Sequence, residues 1–155
     1  MTSDLYHLMK EALKEAKKGF KSGEVPVGAV LAGLDGEIVA SAHNQPISLN
    51  DPTAHAEILA MRKAALFYEN YRLTDTILIV TVEPCLMCMG AAINARIDGL
   101  VFGAFDPRAG AAGSVYNLAA DRRLNHTIEV TTGIMEEECR ALMQEFFKIR
   151  RGKIQ

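Results

Sequence analysis

The sequence predicts an α/β fold, a three-layer α/β/α sandwich around a mixed five-stranded sheet. Segments with apolar residues at helical spacing alternate with short β-branched runs, an order that places helices on both faces of a sheet. The run Ile77 to Val82 is apolar almost without interruption, as expected of a strand covered on both sides. At 155 residues and 49% hydrophobic content, the chain can fill one ordinary core and is too short for two comfortable ones. No repeat, linker or low-complexity tract divides it, so residues 1–155 are expected to form one domain.

Leu5, Leu8, Met9, Ala12, Ala16 and Phe20 recur at helical spacing among Lys and Glu, predicting an amphipathic first helix that ends near Gly19 to Gly23. His7 on that helix reads as a solvated surface residue. Val25 to Ala32 reads as a strand; Pro26 cannot donate to a ladder and belongs at its beginning or edge. Gly28 lets a ligand or another backbone come close. Asp35-Gly36 predicts a tight hairpin turn into Glu37 to His43. Asn44 to Asn50 reads as a loop. Asp51 or Thr53 can cap the next helix, with Pro52 in its first turn and Ile58, Leu59, Met61, Ala65 and Leu66 carrying it to about Phe67. After the third strand, Pro84 is expected to open a helix rich in small residues that closes before Asp98-Gly99. Leu100 to Ala104 and Ile128 to Thr131 are the last two strands, separated by a Gly/Ala-rich loop from Asp106 to Ser114. Glu136 to Arg150 reads as an amphipathic helix with Leu142, Met143, Phe146 and Phe147 apolar.

Charge and cysteine usage narrow the function classes. Seventeen Lys and Arg against nineteen Asp and Glu give a net charge of −2, which does not advertise nucleic-acid binding, although a sum can hide a local basic patch. The stretch Met1 to Leu13 mixes charged with apolar residues, unlike a signal peptide, and no apolar run reaches the ~18 residues of a membrane span. Three cysteines, two of them in Cys85-Leu86-Met87-Cys88, suit a reduced cytoplasmic protein that uses thiols for metal better than a secreted disulfide scaffold.

The chemistry concentrates between Asp51 and Cys88. His55, Cys85 and Cys88 are three borderline or soft ligands for zinc, and a catalytic zinc keeps a fourth position for water. Glu57, two residues from His55, is a carboxylate able to move that water's protons. Cys85 and Cys88, at i and i+3 in a helix's first turn, share a face where backbone N–H groups favour thiolate. His55 and Glu57, at i and i+2, can serve one metal only at the start of a helix. Two other readings of these residues remain. A lone Cys-x-x-Cys can be a redox dithiol, and a structural zinc would need a fourth protein ligand, for which His43, His126 and Cys139 are available. Cys139 reads more simply as a small core residue.

His55-Ala56-Glu57 with Pro84-Cys85-Leu86-Met87-Cys88 resembles the signature of the cytidine deaminase superfamily. Glu24 to Val30, Asn70-Tyr71-Arg72-Leu73 and Val101 to Ser114 resemble, within it, the bacterial tRNA adenosine deaminase branch. The resemblance implies a cytidine deaminase-like fold, one Zn²⁺ per chain on His55, Cys85 and Cys88, and conversion of the wobble adenosine of a tRNA anticodon to inosine. It makes Glu57 the catalytic acid and base, taking the water's proton, passing it to the purine ring and protonating the departing amino group. It implies that Asn44 bonds the target nucleoside, that Val27 and Gly28 line the base pocket, and that Asp106 contacts the preceding sugar. Asp106 also reads as a turn residue before Pro107. The C-terminal segment offers Arg140, Lys148, Arg150, Arg151 and Lys153, which on a last helix read as a solvated face complementing the dipole, with Phe146 and Phe147 beside them for packing or stacking; the resemblance favours Phe147 and Arg150 as contacts to the anticodon stem-loop. It implies a homodimer, to which the small-residue helix from Met89 to Ala95 could contribute, or that helix could pack on its own sheet. The rival within the superfamily is a deaminase of free guanine, cytidine or a deoxynucleotide, and the rival from another class is a structural-zinc or redox module.

Overall fold

The computed structural model describes residues 2–154, in the order α1 (Thr2–Lys21), β1 (Gly28–Gly33), β2 (Ile38–His43), α2 (Pro46–Leu49), α3 (Ala56–Tyr68), β3 (Thr76–Val82), α4 (Leu86–Asn94), β4 (Gly99–Ala104), β5 (Glu129–Thr132) and α5 (Glu136–Ile154). The strands form one sheet in the order β2-β1-β3-β4-β5. β1 lies antiparallel to β2 and β3, while the β3–β4 and β4–β5 pairs are parallel, so the sheet is mixed. A parallel pair needs a crossover, and α4 supplies it between β3 and β4.

Alternation along the strands creates the three layers. Ala29 and Leu31 of β1 point with Leu78, Val80, Leu100 and Phe102 into a core closed by Ala60, Met61 and Ala64 of α3 and Met89, Ala92 and Ile93 of α4. Val30 and Ala32 point the other way, with Ile79 and Val101, onto Leu8, Met9, Ala12 and Leu13 of α1 and Cys139 of α5. His7 is exposed. Among the described residues no helix is long and apolar enough to cross a membrane.

Several boundaries differ from expectation for local reasons. β1 starts at Gly28 and not Val25, because the Val27 N–H turns back to the Val25 carbonyl at 2.8 Å and Pro26 has no N–H to offer a ladder. The segment read as a loop holds the single-turn helix α2, whose Ile47 and Ser48 N–H groups donate to the buried Glu24 carboxylate at 3.2 and 2.8 Å. Neither Asp51 nor Thr53 caps α3. Asp51 Oδ1 accepts the Thr53 N–H and O–H at 2.8 and 2.7 Å, closing its own turn ahead of the helix. His55 is the N-cap residue, and the Ala56 N–H donates to Asn44 Oδ1 at 2.7 Å. Likewise α4 begins after Cys85, two residues beyond the expected start at Pro84.

Gly28 is where α1 meets the sheet. A Cβ built there would lie 1.9 Å from the Ala12 carbonyl oxygen and 2.6 Å from the Ala16 nitrogen. Because backbone and not a flexible side chain stands in the way, Gly28→Ala is expected to destabilise the protein at the upper end of overpacking, about 3 kcal/mol. Urea unfolding reads this as a lower midpoint at constant m-value. An unchanged midpoint would mean that α1 does not pack this closely.

Candidate active site

Two helix N-termini build the site. His55 and Cys85 are the N-cap residues of α3 and α4, both in extended backbone (φ −73°, ψ 152° and φ −81°, ψ 179°). Cys88 follows in the first turn of α4, and Glu57 is the second residue of α3. An N-cap side chain is set differently from those inside the helix, so His55 and Glu57 reach one place despite a spacing that a regular helix would splay. The unpaired N–H groups and dipoles of both helices favour negative charge there.

The donor set fits zinc. His55 Nδ1 lies 3.6 Å from Cys85 Sγ and 3.5 Å from Cys88 Sγ, and the ligand atoms of all three residues lie within 4.8 Å of one another. A tetrahedral zinc with Zn–N of about 2.0–2.1 Å and Zn–S of about 2.3 Å would hold nitrogen and sulfur roughly 3.6 Å apart. Among the described residues no fourth His, Cys, Asp or Glu joins the group. His126 Nε2 is 2.7 Å from the Ile97 carbonyl oxygen, His43 Nδ1 is 4.0 Å from the Glu15 carboxylate, and Cys139 is buried against the opposite face of the sheet. Three protein ligands leave the fourth position for water or substrate, which is the arrangement of a catalytic centre and not of a structural one.

The electrostatics suit the same role. The Cys85 thiol, bonded first to Cys88 and also to His55, is held down to about 3, whereas Cys88, beside it and buried, is pushed up. A divalent cation held between the two sulfurs would draw both to thiolate. The hydrogen bond with Cys85 raises the His55 imidazole. Glu57 is 3% exposed, and Oε1 has no hydrogen-bond partner in the protein. Burial raises its carboxyl above the usual range. A buried carboxylate oxygen with no partner, next to a three-ligand set, is placed to serve something the protein itself does not provide.

These groups open into a cleft of about 780 Å³. Of the predicted residues, Val27, Asn44, His55, Glu57, Cys85, Asp106 and Phe147 line it, and Cys88 lies buried behind. Two do not. Gly28 stands back, its open side facing α1 and its N–H donating to Thr81 Oγ1 at 3.1 Å. Arg150 turns towards α1, with its guanidinium 5.2 Å from the centre of the Phe146 ring and 3.4 Å from the Gly23 carbonyl oxygen. On α5 the cleft face carries Arg140, Gln144, Phe147 and Arg151, at steps of four, three and four residues, and Phe146 with Arg150 occupies the adjoining face. The side chain of Lys153 lies outside the described residues. Sequence reasoning also passed over Phe105 and Arg108 as individual site residues, although both were within view in the loop after β4. Asp106 does act as a turn residue, its Oδ1 accepting the Arg108 and Ala109 N–H groups at 3.1 and 3.2 Å, while also lining the cleft.

An open three-ligand metal centre with a buried carboxylate at its side, set on an α/β/α sandwich, defines a hydrolytic zinc enzyme. A model of the cytidine and deoxycytidylate deaminase zinc-binding region matches residues 2–104, and the chain belongs to that family. It is 46% identical over 153 residues to the tRNA-specific adenosine deaminase of Bacillus subtilis, covering 99% of this chain and 94% of that one. A solved tRNA:A34 deaminase, which edits A to I at the wobble position of transfer RNA, superposes with a TM-score of 0.85 at 40% identity, covering 88% of this chain and 98% of the other. The guanine deaminase of Bacillus subtilis is also 40% identical, but over 70% of this chain and 69% of its own, with a TM-score of 0.62.

Proposed function

We propose that the whole chain acts as one deaminase domain, converting adenosine to inosine at the first anticodon position of a tRNA by hydrolysis, with water consumed and ammonia released. His55, Cys85 and Cys88 would hold one Zn²⁺, which when bound would supply Lewis-acid chemistry that makes water a nucleophile near neutral pH. Glu57 takes one proton of the attacking water and passes it to the purine ring nitrogen, then takes the proton of the new C6 hydroxyl and gives it to the amino group, which leaves as ammonia while the C6 carbonyl forms. A carboxyl raised by burial suits a group that must hold a proton in mid-reaction. The single observation carrying this reading is the partnerless Oε1 of Glu57 in the same cleft as the three ligands. The substrate class rests on relatives that match over 99% and 88% of the chain.

Within this reading Asn44, whose Oδ1 is engaged by Ala56, offers its amide N–H to the nucleoside, and Val27 packs on the base. Asp106 takes the sugar of the preceding nucleotide. Phe105 and Phe147, 48% and 41% exposed at the cleft, present ring faces on which unpaired loop bases can stack. Arg108, Arg140 and Arg151 form a basic rim that the net charge of −2 conceals, although Arg140 also pairs with Glu136 at 2.6 Å. An anticodon loop yields its base at little expense because it is already unpaired. The reading places the protein in the cytoplasm and as a homodimer. The partly exposed Gly90 and Ala91 of α4 leave room for a partner while Met89, Ala92 and Ile93 fill its own core.

The likeness to a guanine deaminase favours a second reading, turnover of a free base, which would use neither the aromatic rings nor the arginine rim. The test of position is a set of stem-loops in which one adenosine is moved along the anticodon. Inosine is expected only from adenosine at the first position. Equal conversion at neighbouring positions would overturn the wobble assignment.

A further inference from the structure

We infer that Glu83 is a positioning residue that sets Asp106 at the mouth of the cleft and so governs how the RNA strand is held. The inference deepens the tRNA reading and rests on it for the role of Asp106. Glu83 sits at the end of β3, two residues before Cys85, and its own N–H donates to the Ala104 carbonyl at 2.9 Å. It is therefore fixed at once to the start of the metal-binding helix and to the end of β4. Its side chain is 3% exposed and pairs with no cation among the described residues. It instead accepts four hydrogen bonds from one loop. Asp106 N–H donates to Oε1, and the N–H groups of Ala112 and Ser114 donate to Oε2, each at 3.0 Å, while the Ser114 hydroxyl closes on Oε1.

The loop wraps this carboxylate so closely that only glycine fits at 110. A Cβ there would lie 2.2 Å from Glu83 Cδ. Next to Glu83, the Pro84 carbonyl accepts the Ala111 N–H at 2.8 Å, and the Gly110 N–H turns back to the Asp106 carbonyl at 2.8 Å. Asp106 thus emerges from a segment whose backbone is tied to a single buried carboxylate. Bonds to a charged acceptor are about twice as strong as neutral ones, so the tie is strong and short-ranged. Glu83 is not in the metal-ligand group, and although it borders the cleft both its carboxylate oxygens are taken up by the loop. It acts through Asp106.

Glu83→Gln keeps the size and replaces one accepting oxygen by a donor, which sets NH₂ against N–H. On the anticodon stem-loop KM is expected to rise roughly tenfold with kcat changed less than about threefold, consistent with losing one charged hydrogen bond at a binding element. Zinc is expected to remain at one per chain. Amide hydrogen exchange should quicken in residues 106–114 and stay unchanged in α3 and α4. The discriminating readout is a double-mutant cycle with Asp106→Ala. If Glu83 acts through Asp106, Glu83→Gln should cost little more once Asp106 is gone. Additive losses, a fall in kcat alone, or unchanged exchange in the loop would each overturn the inference. Should Glu83→Gln fail to fold, Ser114→Ala removes one of the four donors, and the same cycle with Asp106→Ala then decides on a KM change of about twofold to threefold. Wild-type turnover of the stem-loop serves as the control. If the wild type made no inosine the tRNA reading would fail, and exchange in the loop would still judge the tether.

Discussion

Replacing Glu57 with alanine is expected to lower kcat on an anticodon stem-loop by about 10³–10⁴-fold, the upper part of the range for general acid–base catalysis, because one carboxylate serves every proton step. Zinc content should stay at one per chain, since Glu57 is not among the three ligands. Affinity for the stem-loop should hardly change, because the basic rim and aromatic rings lie elsewhere in the cleft. The fold should tolerate the change, since it removes a buried carboxylate whose Oε1 has no protein partner. Single-turnover kinetics with a parallel binding titration separate these effects. A structural-zinc or redox module would lose nothing in this variant.

Removal of the metal is the second large effect. His55, Cys85 and Cys88 come from three points on two helices, so a zinc bound to all three joins α3 to α4. A ligand present at a thousand times its Kd adds about 4.1 kcal/mol to stability. For a chain of this size 1 kcal/mol moves Tm by about 2–4 °C, so chelation is expected to lower Tm by roughly 8–16 °C and to abolish turnover. Apart from Cys88 and the neighbouring Cys85, the two buried clusters are built from residues outside the ligand group, and the chain should stay folded at room temperature. Acidification should act in the same direction, because thiolate and neutral imidazole are the binding forms and protons compete for them. Differential scanning calorimetry of zinc-loaded, chelated and reloaded protein measures the shift. An unchanged Tm would mean that the metal is not bound at this site.

The layers of the fold were legible because the strands' apolar runs and the helices' stripes are local patterns, and both core clusters draw on the residues those patterns mark. The metal ligands were legible for the same reason. What escaped the sequence was set by partners distant in the chain. α2 depends on Glu24, more than twenty residues before it, and the Ala56 N–H at the start of α3 is met by Asn44, twelve residues earlier. A reading limited to neighbours therefore placed the cap on Asp51 or Thr53, whose side chains are spent on their own turn. Helix phase explains the exchange of Arg150 for Arg151. Adjacent residues on a helix point about 100° apart, and the packing of α5, including Phe146 against Phe20 with ring centres 5.6 Å apart, sets which basic residue faces the cleft. Gly28 was marked for close approach. The neighbour proved to be the backbone of α1, and no local pattern could name it.

The central claim is that the cleft deaminates an adenosine presented by an anticodon loop. The most direct measurement is product analysis by mass spectrometry on zinc-loaded protein given an anticodon stem-loop with adenosine at its first anticodon position, alongside free adenosine, cytidine and guanine. Inosine from the stem-loop, with the free compounds untouched, is the predicted result. Conversion of guanine with the stem-loop left intact would contradict it, keeping the metal chemistry and transferring the chain to the free-base branch of its family.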